Sequence, residues 1–158
     1  MGSLGPQLGL LFMLYAGAAS AGCTANTLEL RGATAVQRFS IEVADSEAER
    51  SKGLMNRESM ASSAGMLFVY PEAKHPYFWM KNTLIPLDMV FADASGRVTK
   101  VHSKAAPHDL TPIDGGDAVK FVLEINAGLA ARMGISPGSV MRTEKIEQSS
   151  AIWPCSVE

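Results

Sequence analysis

Leu87-Asp88-Met89-Val90-Phe91-Ala92-Asp93-Ala94-Ser95-Gly96-Arg97-Val98 reads as a strand, a tight turn and the start of a returning strand. Leu87, Met89 and Phe91 alternate with Asp88 and Val90, the period-two pattern of β structure. Asp93 to Gly96 supplies turn residues, and Arg97 to Ser103 carries the return. The same period recurs on either side. Phe39, Ile41 and Val43 share a face opposite Ser40 and Glu42. Gly65 to Tyr70 is a continuous apolar run closed by Pro71, which suits a strand buried on both faces. Phe121, Leu123 and Ile125 oppose Lys120, Val122 and Glu124, and Ser139 to Ile146 forms a last strand. Two short helices interrupt the strands. Ser46 and Glu49 make a capping box for one, which Gly53 ends, and Asn126 caps a second that Gly134 ends. Roughly seven short strands and two short helices predict a mostly-β single domain, a β-sandwich or small barrel.

A chain of 158 residues holds one ordinary domain. A net charge of −2 lacks the electrostatic footprint of a nucleic-acid binder. Residues 1–21 carry no charged side chain, run apolar from Leu8 to Ala19, and end in the small-x-small site Ala19-Ser20-Ala21. This is the pattern of a secretory signal peptide. It predicts an exported protein of the periplasm or cell envelope. Residues 22–34 read as an N-terminal segment, 35–146 as the folded domain and 147–158 as a tail. Cys23 carries two exclusive readings. Ser20-Ala21-Gly22-Cys23 resembles a lipoprotein cleavage box, in which acylated Cys23 would be the point of membrane attachment. Alternatively Cys23 pairs with Cys155, an even count that suits a disulfide in an oxidising compartment.

Upstream of Asp88 lies the densest chemistry of the chain, Phe78-Trp79-Met80-Lys81-Asn82-Thr83-Leu84-Ile85-Pro86-Leu87. Alternation puts Tyr77 and Trp79 on one face and Phe78 and Met80 on the other, so one pair enters the core and the other forms an aromatic platform. Asp88 and Glu124 interrupt apolar strands. They face either solvent or a pocket wall shared with Trp79, Lys81, Asn82 and Thr83, where two carboxyls would serve as general acid and base. Arg57 offers a planar fork for an anion, or an ion pair with Glu58 or another acid. Gly134-Ile135-Ser136-Pro137-Gly138 matches the letters of a nucleophile elbow, but a helix precedes it and a strand follows, the reverse of what the elbow needs. His75, His102 and His108 fit no zinc spacing, and the internal methionines sit where packing uses apolar residues. No metal or cofactor is expected from these patterns.

Gly53-Leu54-Met55-x-Arg57, Gly65-Met66-Leu67-Phe68-Val69, the block from Phe78 to Asp88, and Val122-Leu123-Glu124 with Asn126-Ala127-Gly128 resemble domain of unknown function 192. The resemblance covers about residues 35 to 145. It implies a mostly-β sandwich or barrel in a small, often exported protein, and brings no agreed activity. Four functional readings follow. The first is a non-catalytic envelope module that binds a small polar ligand, a glycan or a partner protein through Arg57, Trp79, Lys81, Asn82, Thr83, Asp88 and Glu124. The second is a hydrolase using Asp88 and Glu124. The third is metal handling through Met and His. In the fourth, Asn82, Thr83 and Asp88 tie a long β connection through backbone hydrogen bonds.

Overall fold

The computed structural model describes Met1 and residues 22–155, so the signal-peptide reading falls almost wholly outside the described residues. Among those residues, seven strands form one curled sheet. They are β1 (Thr27–Arg31), β2 (Val36–Ala44), β3 (Ala64–Lys74), β5 (Leu87–Ala92), β6 (Val98–Ala105), β8 (Val119–Asn126) and β9 (Val140–Arg142). The order across the sheet is β6-β5-β8-β3-β2-β1-β9, and a bridge between Arg97 and Val140 brings the two ends together as a half-barrel. A two-stranded ribbon joins β4 (Tyr77–Phe78) to β7 (Ile113–Asp114). The helices are α1 (Glu47–Lys52) and α2 (Leu129–Arg132). The protein is mostly β, with two short helices, as its alternating sequence predicts.

Alternation along each strand divides the apolar side chains between two cores, one on each face of the sheet. Leu67, Val90, Ala92, Leu123 and Ile125 pack with Leu28, Phe39 and the α2 residues Leu129 and Ala130. Met66, Phe68, Met89, Phe91 and Val122 pack with Leu54 and Met80 on the opposite face. Because both faces are covered, the solvated outer face open to Asp88 and Glu124 does not exist. Both side chains are buried.

Several local expectations need correction. The segment 22–34 contains β1, whose Leu28 and Leu30 are buried and which pairs with both β2 and β9. The last strand is only β9, because a turn closed by Ile146 N–H on Thr143 O breaks the run. Asn126 does not cap α2; its amide donates to Met60 O at 2.7 Å, and the cap position before Leu129 is Gly128, in the left-handed region. The α1 capping box is present, with Ser46 Oγ accepting from Glu49 N–H and Glu49 accepting from Ser46 N–H. The tail is anchored rather than loose. Trp153 lies beneath the guanidinium groups of Arg31 and Arg142, 4.7 and 4.5 Å from its ring centre, and Cys155 is disulfide-bonded to Cys23.

Asp88 is fully buried, on the face that packs against α2. Its Oδ1 accepts from Lys104 N–H at 2.8 Å, and its Oδ2 accepts from Ala130 N–H at 2.9 Å. The Lys104 contact falls in a β-bulge. Leu87 pairs with Ala105 and Met89 with His102, leaving one extra residue on β6, and Lys104 sits at φ 58°. The Ala130 contact satisfies an N–H at the first turn of α2, which has no side-chain cap of its own. Asp88→Asn keeps the shape but must turn an NH2 donor toward one of these backbone donors. An unsatisfied buried group costs about 1–3 kcal/mol, so denaturant unfolding of Asp88→Asn is expected to show a loss of that order. Wild-type stability in this variant would deny Asp88 its structural role.

Candidate functional site

The chain leaves α1 through Gly53, whose φ of 49° ends the helix and turns it into Leu54 and Met55. A Cβ there would stand 3.1 Å from the Phe68 ring. The segment after β4 returns beside this turn. Met80 is buried, its N–H bonds Asp109 O, and Thr83 N–H bonds Met80 O. Asn82 takes φ 53°, and its carbonyl accepts from Asn56 N–H at 2.8 Å, fastening the two turns together. Thr83 is buried, and its hydroxyl donates to Lys81 O at 3.2 Å. Asn82, through its backbone carbonyl, and Thr83, through its N–H and hydroxyl, take part in holding this connection, while Asp88 is engaged elsewhere.

Between these turns and the sheet lies a recess of about 50 Å3 lined by Arg50, Lys52, Leu54, Lys81, Thr83 and Glu124, among others. It adjoins an open groove of about 720 Å3 that runs between α1 and the outer half of β3, with Tyr70, Tyr77 and Trp79 in its walls. Arg50, Ser51, Phe78 and Trp79 line both. Tyr77 and Trp79 are 65% and 49% exposed, whereas Phe78 packs edge-on against Phe68 and Phe91. Lys81 Nζ lies 5.0 Å from the centre of the Trp79 ring, a cation–π distance.

Glu124 reaches the recess from the sheet. In the register of β3, β8 and β5 it stands between Met66 and Met89. It is 5% exposed; no hydrogen bond to its carboxyl is found among the described residues, and no side-chain oxygen there is sealed without a partner, so its oxygens open onto the recess. Burial without a partner disfavours the charged form and pushes its pKa up to about 8. Nearby, burial raises the Tyr70 phenol, opposed by the Arg50 guanidinium and reinforced by Glu124.

The residues singled out by sequence do not all meet. Trp79, Lys81, Thr83 and Glu124 line one recess. Asn82 shapes it through its backbone. Arg57 is engaged elsewhere: its guanidinium donates to both oxygens of Glu42 at 2.5 and 2.8 Å, rather than to Glu58, and holds the Glu42 carboxyl below its usual range. Asp88 pairs with Ile125 across β5 and β8, and Glu124 pairs with Met89. Directly opposed residues share a face, so Asp88 and Glu124 lie on opposite faces of the sheet and form no acid–base pair. Among the described residues, no group of three or more His, Cys, Asp or Glu is placed to hold a metal ion. His75 instead bridges Asp117 at 2.7 Å and Asp114 at 2.9 Å. Sequence reasoning passed over Arg50, Lys52 and Tyr70. Their signal was position: the first two close the helix that leads into Gly53-Leu54-Met55, and Tyr70 ends the run before Pro71.

The raised Glu124 pKa sets a sign for stability. Below its ordinary value of 4.5 both folded and unfolded chains hold the proton, and the contribution is fully present. Between 4.5 and about 8 only the unfolded chain releases it, so stability falls as pH rises. Glu124→Gln removes this titration. Its stability relative to wild type, measured by denaturant unfolding, is expected to grow by on the order of a few kcal/mol from acidic to mildly alkaline pH. A difference independent of pH would show that Glu124 is not held protonated.

Two solved structures share the fold. One is a protein of unknown function from Novosphingobium aromaticivorans, 39% identical, with a TM-score of 0.71 over 73% of this chain and 82% of the other. The second, described as a candidate transcription regulator from Sinorhizobium meliloti, is 37% identical, with a TM-score of 0.72 over 76% of this chain and 94% of its own. No curated protein matches the chain. The profile of DUF192, described as an uncharacterized ACR, matches residues 28–143, which include both helices and, apart from the first residue of β1, every strand of the curled sheet; the chain belongs to this family.

Proposed function

We propose that the protein is a non-catalytic binding module of the cell envelope, with its site in the groove between α1 and the β3–β4 segment. The observation that carries this reading is one arrangement. Two exposed aromatic side chains, Tyr77 and Trp79, flank an open groove that adjoins the unpartnered carboxyl of Glu124. Exposed rings beside convergent polar groups offer stacking area together with orientation, which suits a small polar ligand, a glycan or a segment of an envelope protein. The location in the envelope rests on the signal-peptide pattern of residues 1–21 and is supported by the Cys23–Cys155 disulfide, since such bonds persist in oxidising compartments. Cys23 engaged in that bond has no thiol to acylate, which favours a free envelope protein over a lipoprotein. Hydrolysis by two carboxyls loses its geometric basis with Asp88 and Glu124 on opposite faces.

Thermal melting of the mature chain against saccharides, cell-wall fragments, peptides, small acids and metals tests the site. A native-state ligand at a hundred times its dissociation constant adds about 2.7 kcal/mol. A shift with at least one class, lost in Trp79→Ala, is expected. A shift that survives Trp79→Ala would place binding away from the groove. Cell fractionation tests the location: processed protein is expected in the periplasmic or envelope fraction, and full-length protein in the cytoplasm would overturn it.

A further inference from the structure

The recess is chemically one-sided. Arg50 and Lys52 at the end of α1 and Lys81 after β4 stand around it, and Glu124 is the one acid in its lining. Arg50 is committed, donating to the carbonyls of Asp45 and Val69. Lys52 and Lys81 belong to no ion pair among the described residues. The buried carboxyl of Glu124 has no hydrogen-bond partner there either, and it borders open space. The recess is small, about 50 Å3. Beside it, the Lys81 ammonium and the exposed Trp79 ring form one cationic, aromatic surface.

We propose, building on the binding reading above, that the recess takes the carboxylate of an acidic saccharide: its ring lies against Trp79, Lys52 and Lys81 neutralise its charge, and the Glu124 O–H donates into it. Stacking uses the apolar face of the sugar, and charge-assisted hydrogen bonds hold the acid. A protonated carboxyl is a donor and tolerates an anion beside it; an ionised one repels it. Burial keeps Glu124 protonated up to about pH 8. The charged and titratable groups that face it are Arg50 and Lys52 from α1, Tyr70 from β3 and Lys81. Along the same face of the sheet lie His102 and the self-compensating pair of Glu42 with Arg57. Of these, Glu124 is the group whose deprotonation near pH 8 removes a donor and adds a repelling charge; the Tyr70 phenol would do the same only above its ordinary value of 10.0, from which burial raises it.

Calorimetric titration of the mature chain with glucuronic acid and N-acetylmuramic acid, against glucose and N-acetylglucosamine, tests this. The acids are expected to bind about tenfold or more tighter than the neutral sugars, and to lose about tenfold in affinity between pH 7 and 9 as Glu124 ionises. Glu124→Gln keeps an N–H donor, so it should still bind the acids, with a flat pH profile. Glu124→Leu, checked for folding by its melting curve, should not. Lys52→Gln with Lys81→Gln should weaken the acids selectively. Neutral sugars bound as tightly as the acids, with dependence on Trp79, would overturn the assignment and leave the groove standing. Affinity rising with pH would overturn it too, since that is the signature of a cationic ligand. Silence from every sugar, acid or neutral, would overturn it; silence across the whole melting panel as well would remove the binding reading.

Discussion

A buried carboxyl that accepts two backbone N–H groups holds β5, the bulge of β6 and the start of α2 in one arrangement. Asp88 lies on β5, beside the edge strand β6, and is fully buried, so its two backbone partners take the place of solvent. The bulge exists because one residue too many lies between Ala105 and His102, and its exposed N–H at Lys104 needs an acceptor. The four-residue α2 is too short to be stable alone and lacks a side-chain cap, so it depends on the sheet that carries the acceptor. Both demands meet in one side chain. The α2 residues it fixes then cover one face of β5 and β8, completing one core.

Covering both faces of β8 has a second effect. Glu124 is forced into an apolar row between Met66 and Met89, without the compensation that Asp88 receives. An unpartnered buried carboxyl is costly, and the fold retains it only at the floor of an opening. The two acids thus divide the sheet by function: on one face the polar group is spent on architecture, and on the other it is left available to whatever enters.

Much of this was legible in the residue pattern. Period-two alternation puts Phe39 with Ile41, Leu123 with Ile125, and Phe78 with Met80 on shared faces without reference to anything distant; that the last pair, rather than Tyr77 and Trp79, faces inward is seen only in the fold. The capping box of α1 is local and reads directly. What alternation cannot report is whether a second layer covers the other face, and this is why Asp88 and Glu124 looked compatible with solvent. Nor does it report which strands adjoin. Arg57 meets Glu42 because β2 and β3 are parallel neighbours, and β1 becomes visible as a strand only once β2 and β9 flank it. The recess itself joins the end of a helix, a turn thirty residues later and a strand beyond that, a meeting that no local period encodes.

The pairing of β1 with β9 sets Leu30 beside Met141, so the first strand and the last share an edge. Nearly all of the described chain must be present before that pair can form. Assembly of this sheet is therefore a late, long-range event, with a high loop-closure cost met only after the inner strands have associated. Until then β1 can dock on β2 alone, with Arg142 absent from beside Glu29 and Trp153 absent from its two guanidinium neighbours. A chain stopped short of residue 140 would retain the central strands but carry an unpaired, apolar-backed edge, the kind of surface that invites association with other polypeptides.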